Sequence, residues 1–142
     1  MSATSHNGTR GRTIPEILGL AFGAIYLLVG IVGFFITGFD DFAGHTDETL
    51  LIFQINPLHN IVHILIGLAG IALSRTLAGA RTYGWLLAVG YGAAFVYGLL
   101  AAGEDWDFLN INAADNVLHI LTALVGLVIA LMPVRTAVAD RR

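Results

Sequence analysis

Apolar residues are gathered into four long blocks that polar stretches separate. The blocks cover roughly residues 17–38, 57–74, 83–102 and 113–132, and each is about as long as the 20 residues that a helix needs to cross a bilayer. Only 12% of the residues are charged, against about 25% in soluble domains, and the mean hydropathy is +0.78. The pattern predicts an all-α membrane protein with four transmembrane helices.

The second and fourth blocks begin with the same polar pattern. Residues 56–65 read NPLHNIVHIL and residues 112–121 read NAADNVLHIL, so the two segments align at an offset of 56. Polar side chains are costly inside membrane helices, and a repeated set of them is therefore a strong signal. The residues that coincide are Asn56 with Asn112, Asn60 with Asn116, and His63 with His119.

The first and third blocks also correspond, at an offset of 65, through pairs that include Gly33 with Gly98 and Tyr26 with Tyr91. We therefore predict two tandem helical hairpins, about 17–75 and 83–132, inserted with the same orientation. Such a parallel repeat has a pseudo-two-fold axis along the membrane normal. The expected fold is a compact four-helix transmembrane bundle over residues 13–134.

The distribution of positive charge predicts the topology. All seven cations are arginines, and they lie before the first block, between the second and third, and after the fourth. By the positive-inside rule both termini and the middle loop are cytoplasmic. We expect a disordered cytoplasmic tail at residues 1–12 and a second cytoplasmic tail at 135–142.

Our first interpretation of the repeated polar residues is structural, because buried polar groups are usually satisfied within the fold. Asn56 and Asn112 are expected helix N-caps, and Asp115 would complete a capping box with Asn112. Asn60 and Asn116 would hold the register of the repeats. On this interpretation the protein is a non-enzymatic structural or accessory membrane subunit without a cofactor.

Two alternatives give the histidines a chemical role. His59, His63, Asp115 and His119 would suit zinc or another first-row metal, since they form two i, i+4 pairs of ligands. Alternatively, His63 and His119 would supply both axial ligands of a b-type haem. Helices 2 and 4 are expected to lie across the bundle diagonal, which is wide for a compact zinc site and more comfortable for a haem.

A weaker alternative is the transport of protons or a small solute, because histidine titrates near neutral pH and intramembrane ionisable groups often mark pathways. The inner halves of the helices are apolar, however, and predict no continuous polar path. Gly33 and Gly98 lie at the depth of the histidines and leave space for a neighbouring helix or a flat ligand. Tyr26 and Tyr91 are expected too deep to touch the histidines, and to pair with each other or with the backbone.

Several classes of function are excluded. The chain has no cysteine, which removes disulfides and thiolate chemistry. It has no phosphate-binding glycine loop and no basic patch for nucleic acid. The expected partners are the lipid bilayer and, through glycine-rich faces, a second copy or a larger membrane complex.

The repeated motif resembles the signature of a family of small bacterial four-helix membrane proteins, common in actinobacteria and described only as a domain of unknown function. Residues 56–70, which read NPLHNIVHILIGLAG, carry the resemblance, and it extends over about 13–132. The resemblance implies a bundle in the bacterial inner membrane. It supplies no activity and no ligand.

Overall fold

The structure, a computed structural model, describes residues 10–134. Residues 1–9 of the tail predicted at 1–12, and the whole tail predicted at 135–142, lie outside the described residues. The described chain forms four helices and one small β-hairpin. In chain order these are α1 Ile14–Thr37, β1 Thr49–Leu50, β2 Phe53–Gln54, α2 Pro57–Leu73, α3 Leu77–Ala101 and α4 Ala113–Leu131.

The helices form an all-α transmembrane bundle, as the hydropathy pattern predicts. α1, α3 and α4 are long and apolar enough to cross a membrane, whereas α2 has 17 residues and lies at the short limit of about 17–25 residues for a spanning helix. We call the end where α2 and α4 begin the histidine end. The opposite end, which carries Arg10, Arg75 and Arg81, is the arginine end.

Two helices begin earlier than their apolar blocks do. α3 starts at Leu77 rather than at residue 83, because the Thr76 side chain caps it by accepting a hydrogen bond from the Gly79 amide at 3.1 Å. Arg81 therefore lies inside α3 and not in the loop before it. α1 starts at Ile14, after Thr13. The first turns of these helices are polar, so a prediction from hydropathy alone places the start of each helix too late.

Small residues bring the two helices of each hairpin into close contact. A Cβ added at Gly33 would overlap the amide of Asn60, and a Cβ added at Gly98 would overlap the amide of Asn116. Farther along the helices, Gly19 faces the Ser74 side chain and Gly84 faces the backbone of Ala130. Each contact in the first hairpin therefore has its counterpart in the second, between the residues at the offsets of 65 and 56. The contacts extend along the whole length of each hairpin.

The two helical hairpins contact each other less extensively than the two helices within each hairpin do, along an interface that we call the seam. No Cα atom of α2 lies within 8 Å of one in α4, so these helices lie across the diagonal, as predicted. α1 and α3 approach each other through the rings of Tyr26 and Tyr91, whose centroids are 5.2 Å apart. The buried core is built around these two tyrosines with Tyr83 and Leu87.

The segment between α1 and α2 contains an antiparallel β-hairpin. Thr49 pairs with Gln54, and Leu50 pairs with Phe53. The tip residues Leu51 and Ile52 are 84% and 67% exposed. This β-hairpin lies against the start of α4, because the Gln54 amide donates a hydrogen bond to the Asp115 carboxylate at 3.1 Å.

Candidate functional site

Five buried aromatic side chains meet near the histidine end, and we call them the histidine–tyrosine centre. They are His59, His63, His119, Tyr26 and Tyr91. The His59 ring centroid lies 4.5 Å from that of His63 and 6.2 Å from that of His119. Tyr26 packs on His63 at 5.3 Å, and Tyr91 packs on His119 at 5.5 Å.

The prediction that Tyr26 and Tyr91 lie too deep to touch the histidines is wrong, although they do pair with each other across the bundle. Leu27, next to Tyr26, packs on Gly67, which lies four residues beyond His63. The Cα atoms of Tyr26 and His63 therefore differ in depth by about one helical pitch of 5.4 Å. The side chains of these two residues extend toward each other and span this distance. Counting residues from helix ends gave the depth of the Cα atoms but not the reach of the rings.

The three imidazoles lack hydrogen-bond partners on one nitrogen. Within residues 10–134, Nδ1 of His59, His63 and His119 is buried and has no hydrogen-bond partner. Buried polar atoms in proteins are nearly always bonded, and leaving one unpaired costs about 1–3 kcal/mol. Asn60 and Asn116 likewise each have a buried Oδ1 without a partner in residues 10–134, so the unpaired nitrogens leave the histidines open to a ligand but do not by themselves set them apart from structural side chains.

The two tyrosines of the centre differ in the same respect. The Tyr26 hydroxyl shares a hydrogen bond of 2.6 Å with the Thr122 hydroxyl. The Tyr91 hydroxyl is buried without a partner in the described chain. The cause is in the sequence, because the residue equivalent to Thr122 in the first hairpin is Ile66, which has no hydroxyl to offer.

The asparagines, by contrast, perform structural work. Asn56 caps α2 by accepting a hydrogen bond from the His59 amide at 2.9 Å, as predicted. Its side-chain amide also donates to the carbonyls of Gly44 at 3.1 Å and Phe108 at 3.0 Å. One side chain thus joins the start of α2 to both loops at the histidine end.

The remaining asparagines fill the spaces that the helix glycines leave. The Asn60 amide packs on Gly33 and donates to the Thr37 hydroxyl at 2.9 Å, while Asn116 packs on Gly98. The neighbouring helix, one of the two occupants predicted beside these glycines, fills the space through its asparagine side chain.

Asp115 is occupied as a capping residue. Its carboxylate accepts hydrogen bonds from the amides of Asn112 at 3.0 Å and Gln54 at 3.1 Å, which completes the predicted capping box. Over residues 10–134 no group of three or more histidines and acids is arranged to hold a metal ion. The metal site of His59, His63, Asp115 and His119 stays a prediction that this geometry does not support.

The haem alternative meets a steric difficulty. The His59 ring contacts the His63 ring at 4.5 Å and approaches His119 to 6.2 Å. It therefore stands beside both proposed axial ligands, where a porphyrin plane would have to pass. Ligation of a haem by His63 and His119 stays a prediction and would require His59 to move.

Sequence reasoning missed a second polar cluster, in the loop before α4. The buried Asp107 carboxylate accepts hydrogen bonds from the Ile111 amide at 2.7 Å and the Tyr97 hydroxyl at 3.1 Å. Asn110 donates to the Thr46 carbonyl at 3.0 Å. Asn110 has a positive φ of 55°, a conformation that asparagine adopts more readily than most residues, and this preference was the available signal.

Two apolar clefts lead from the bundle surface to the centre. A cleft of about 160 Å³ lies between α1 and α4, and another of about 150 Å³ lies between α2 and α3. His63 and His119 line both. Every residue lining the α2/α3 cleft has its sequence equivalent, at the offset of 65 or 56, in the lining of the α1/α4 cleft. The clefts are thus a pseudo-symmetric pair that the seam between the hairpins creates.

Comparison with known proteins assigns a family but no activity. A family model described as "Domain of unknown function (DUF4383)" matches residues 16–132, which is most of the chain. No curated protein and no solved structure matches the chain.

Proposed function

Because the chain belongs to a family defined only as a domain of unknown function, we propose from the site itself that it is a non-enzymatic accessory membrane subunit that binds a small, uncharged, lipid-soluble molecule. The binding site is the histidine–tyrosine centre, and the ligand reaches it from the bilayer through the clefts. The expected location is the inner membrane, with the histidine end facing away from the cytoplasm.

The main support for this proposal is that buried polar atoms without hydrogen-bond partners belong to residues that line apolar clefts. His63 and His119 line both clefts and have unpartnered Nδ1 atoms in the described chain. The cap residues Asn56 and Asn112 bond their side-chain oxygens, and the unpartnered Oδ1 atoms of Asn60 and Asn116 belong to residues that line neither cleft. The histidines, unlike the asparagines, therefore combine an unpartnered atom with a cleft. Small-molecule sites are concave and largely apolar, with a few polar groups that orient the ligand.

The charge of the lining argues for an uncharged ligand. Among residues 10–134, Asp115 is the only acidic residue that lines either cleft, and its carboxylate is already bonded to backbone amides. None of the arginines in the described part of the chain lines either cleft. A charged ligand would have to lose its hydration without gaining an ionic partner, which is costly.

The test is to identify what the protein carries from its own membrane. We would purify it in mild detergent, extract bound compounds for mass spectrometry and measure metals by ICP-MS. The comparison is the double variant His63→Gln/His119→Gln, with His45→Gln as the matched control, since His45 is an exposed loop residue. Circular dichroism would establish that each variant remains helical.

The expected result is a neutral organic compound that is present in the wild type and in His45→Gln but lost from the double variant. A folded protein that binds nothing, even after incubation with total membrane lipids, would overturn the proposal in favour of the structural interpretation. Near-stoichiometric iron, zinc or copper lost with the histidines would overturn it in favour of the metal or haem alternative.

A further inference from the structure

The two clefts are equivalent in sequence position but unequal in shape. Where the α1/α4 cleft has Ile25 and Val29, the α2/α3 cleft has the smaller Gly90 and Ala94. The β-hairpin also lines the α1/α4 cleft, through residues that include Leu50, and contributes nothing to the other cleft. The α2/α3 cleft is therefore the more open route between the bilayer and the histidines.

The α2/α3 cleft continues along the bundle as a groove. A further cavity of about 270 Å³ lies between α2 and α3, and it shares Ile66, Gly90 and Tyr91 with the cleft. From there the lining extends to Tyr83, toward the arginine end, and is apolar apart from its tyrosines, of which Tyr83 contributes one buried hydroxyl without a partner in the described chain. We call the cleft and this cavity together the α2/α3 groove. Its form suits a long apolar chain attached to a polar head.

The polar head would meet several unpartnered groups at one end of this groove. His59, His63 and His119 line it there with buried Nδ1 atoms, and Tyr91 lines it with a buried hydroxyl. These residues are only 2–6% exposed, and their unpaired atoms have no partner in residues 10–134. In the other cleft the equivalent tyrosine, Tyr26, is already bonded to Thr122.

From these observations we infer that the ligand is a lipid-soluble quinone, with its ring in the cleft beside the histidine–tyrosine centre and its apolar chain in the α2/α3 groove past Gly90. A quinone ring is neutral and flat, and its carbonyls accept hydrogen bonds from imidazole N–H and tyrosine O–H groups. The aromatic side chains that line the cleft offer a surface on which a flat ring can pack. This inference rests on the proposed function and adds the class of ligand and the path of its tail.

The test compares two glycines of α3 that differ only in their position relative to the groove. An added Cβ meets no atom within 4 Å at Gly90 or at Gly92, so both accept a side chain. Gly90 lines the groove and Gly92 does not. Gly90→Leu therefore fills the groove, while Gly92→Leu is the matched control with the same change in helix propensity.

We would titrate each protein, in lipid nanodiscs, with a decyl-substituted benzoquinone by calorimetry, and repeat the titration with decanol, which has a chain of equal length but no ring. We expect the wild type and Gly92→Leu to bind the quinone equally, and Gly90→Leu to bind it about tenfold or more weakly, a difference of about 1.4 kcal/mol per factor of ten. Tyr91→Phe should weaken binding about threefold, as expected for one hydrogen bond in a membrane protein.

Other results would overturn the inference in distinguishable ways. Equal quinone binding by Gly90→Leu and Gly92→Leu would exclude the groove as the path of the chain. Decanol binding as tightly as the quinone, with the same dependence on Gly90, would exclude a quinone-specific head but leave the proposed function intact. No binding of either compound, and no compound carried from the native membrane, would remove both.

Discussion

The contact between Gly33 and Asn60 predicts a specific energetic coupling. A Cβ at residue 33 would overlap the Asn60 amide, which is fully buried and holds the Thr37 hydroxyl at 2.9 Å. Overpacking of this kind costs about 1–3 kcal/mol, and the displaced hydrogen bond adds about 0.6 kcal/mol. Replacing glycine by alanine in a helix returns about 1 kcal/mol of propensity. Gly92→Ala, which meets open space, measures that gain separately.

We therefore expect Gly33→Ala to be less stable than Gly92→Ala by about 2.6 kcal/mol, which is the middle of the overpacking range plus the displaced hydrogen bond. The measurement is reversible unfolding of the detergent-solubilised protein by SDS, followed by circular dichroism. Asn60→Ala removes the obstacle, so the double variant Gly33→Ala/Asn60→Ala should be more stable than additivity predicts, with a coupling of about 1 kcal/mol or more.

The same cycle at Gly98 and Asn116 should give a coupling of the same sign, because the second hairpin repeats the contact. If the changes in unfolding free energy are additive at both sites, or if Gly33→Ala and Gly92→Ala are equally stable, the packing of asparagine against glycine does not stabilise the hairpins.

Three further predictions test other parts of the fold. Tyr26→Phe should destabilise the bundle by about 0.6 kcal/mol and Tyr91→Phe should not, because only the Tyr26 hydroxyl is bonded; equal losses in SDS unfolding would contradict this difference. Asp115→Ala should cost about 1 kcal/mol through the lost cap and should speed hydrogen exchange in the β-hairpin, whereas unchanged exchange would show that the carboxylate does not hold it. Since the chain has no cysteine, Asp40→Cys should react with an impermeant maleimide outside intact cells and Arg75→Cys should not; the reverse pattern would invert the topology.

The sequence alone was sufficient for the bundle and its caps. Hydropathy located four helices, and the N-caps Asn56 and Asn112 marked where α2 and α4 begin, because capping depends on residues close together in the chain. The start of α3 was misplaced, since Thr76 and Arg81 are polar and a hydropathy window excludes them although they form or flank the first turns.

The arrangement of the site was only partly predictable. The repeat singled out His63 and His119, but nothing local indicated that Tyr26 and Tyr91 would reach them. The contact of Tyr26 with His63 depends on the axial offset between α1 and α2, which the packing of the helix glycines fixes. For Asp115 the sequence predicted the capping box but not the second contact, because Gln54 comes from a loop whose position the sequence does not specify.

The division of the bundle at its seam has a consequence for biosynthesis. The first hairpin, with its glycine–asparagine contacts, is complete once Ser74 has left the ribosome, but the histidine–tyrosine centre also needs Tyr91 and His119. At about 5–20 residues per second, the half-made protein spends several seconds in the membrane with His59 and His63 uncovered. Chaperones or lipids that shelter polar side chains would act on the nascent chain during that interval, and the centre appears only when the last helix is inserted.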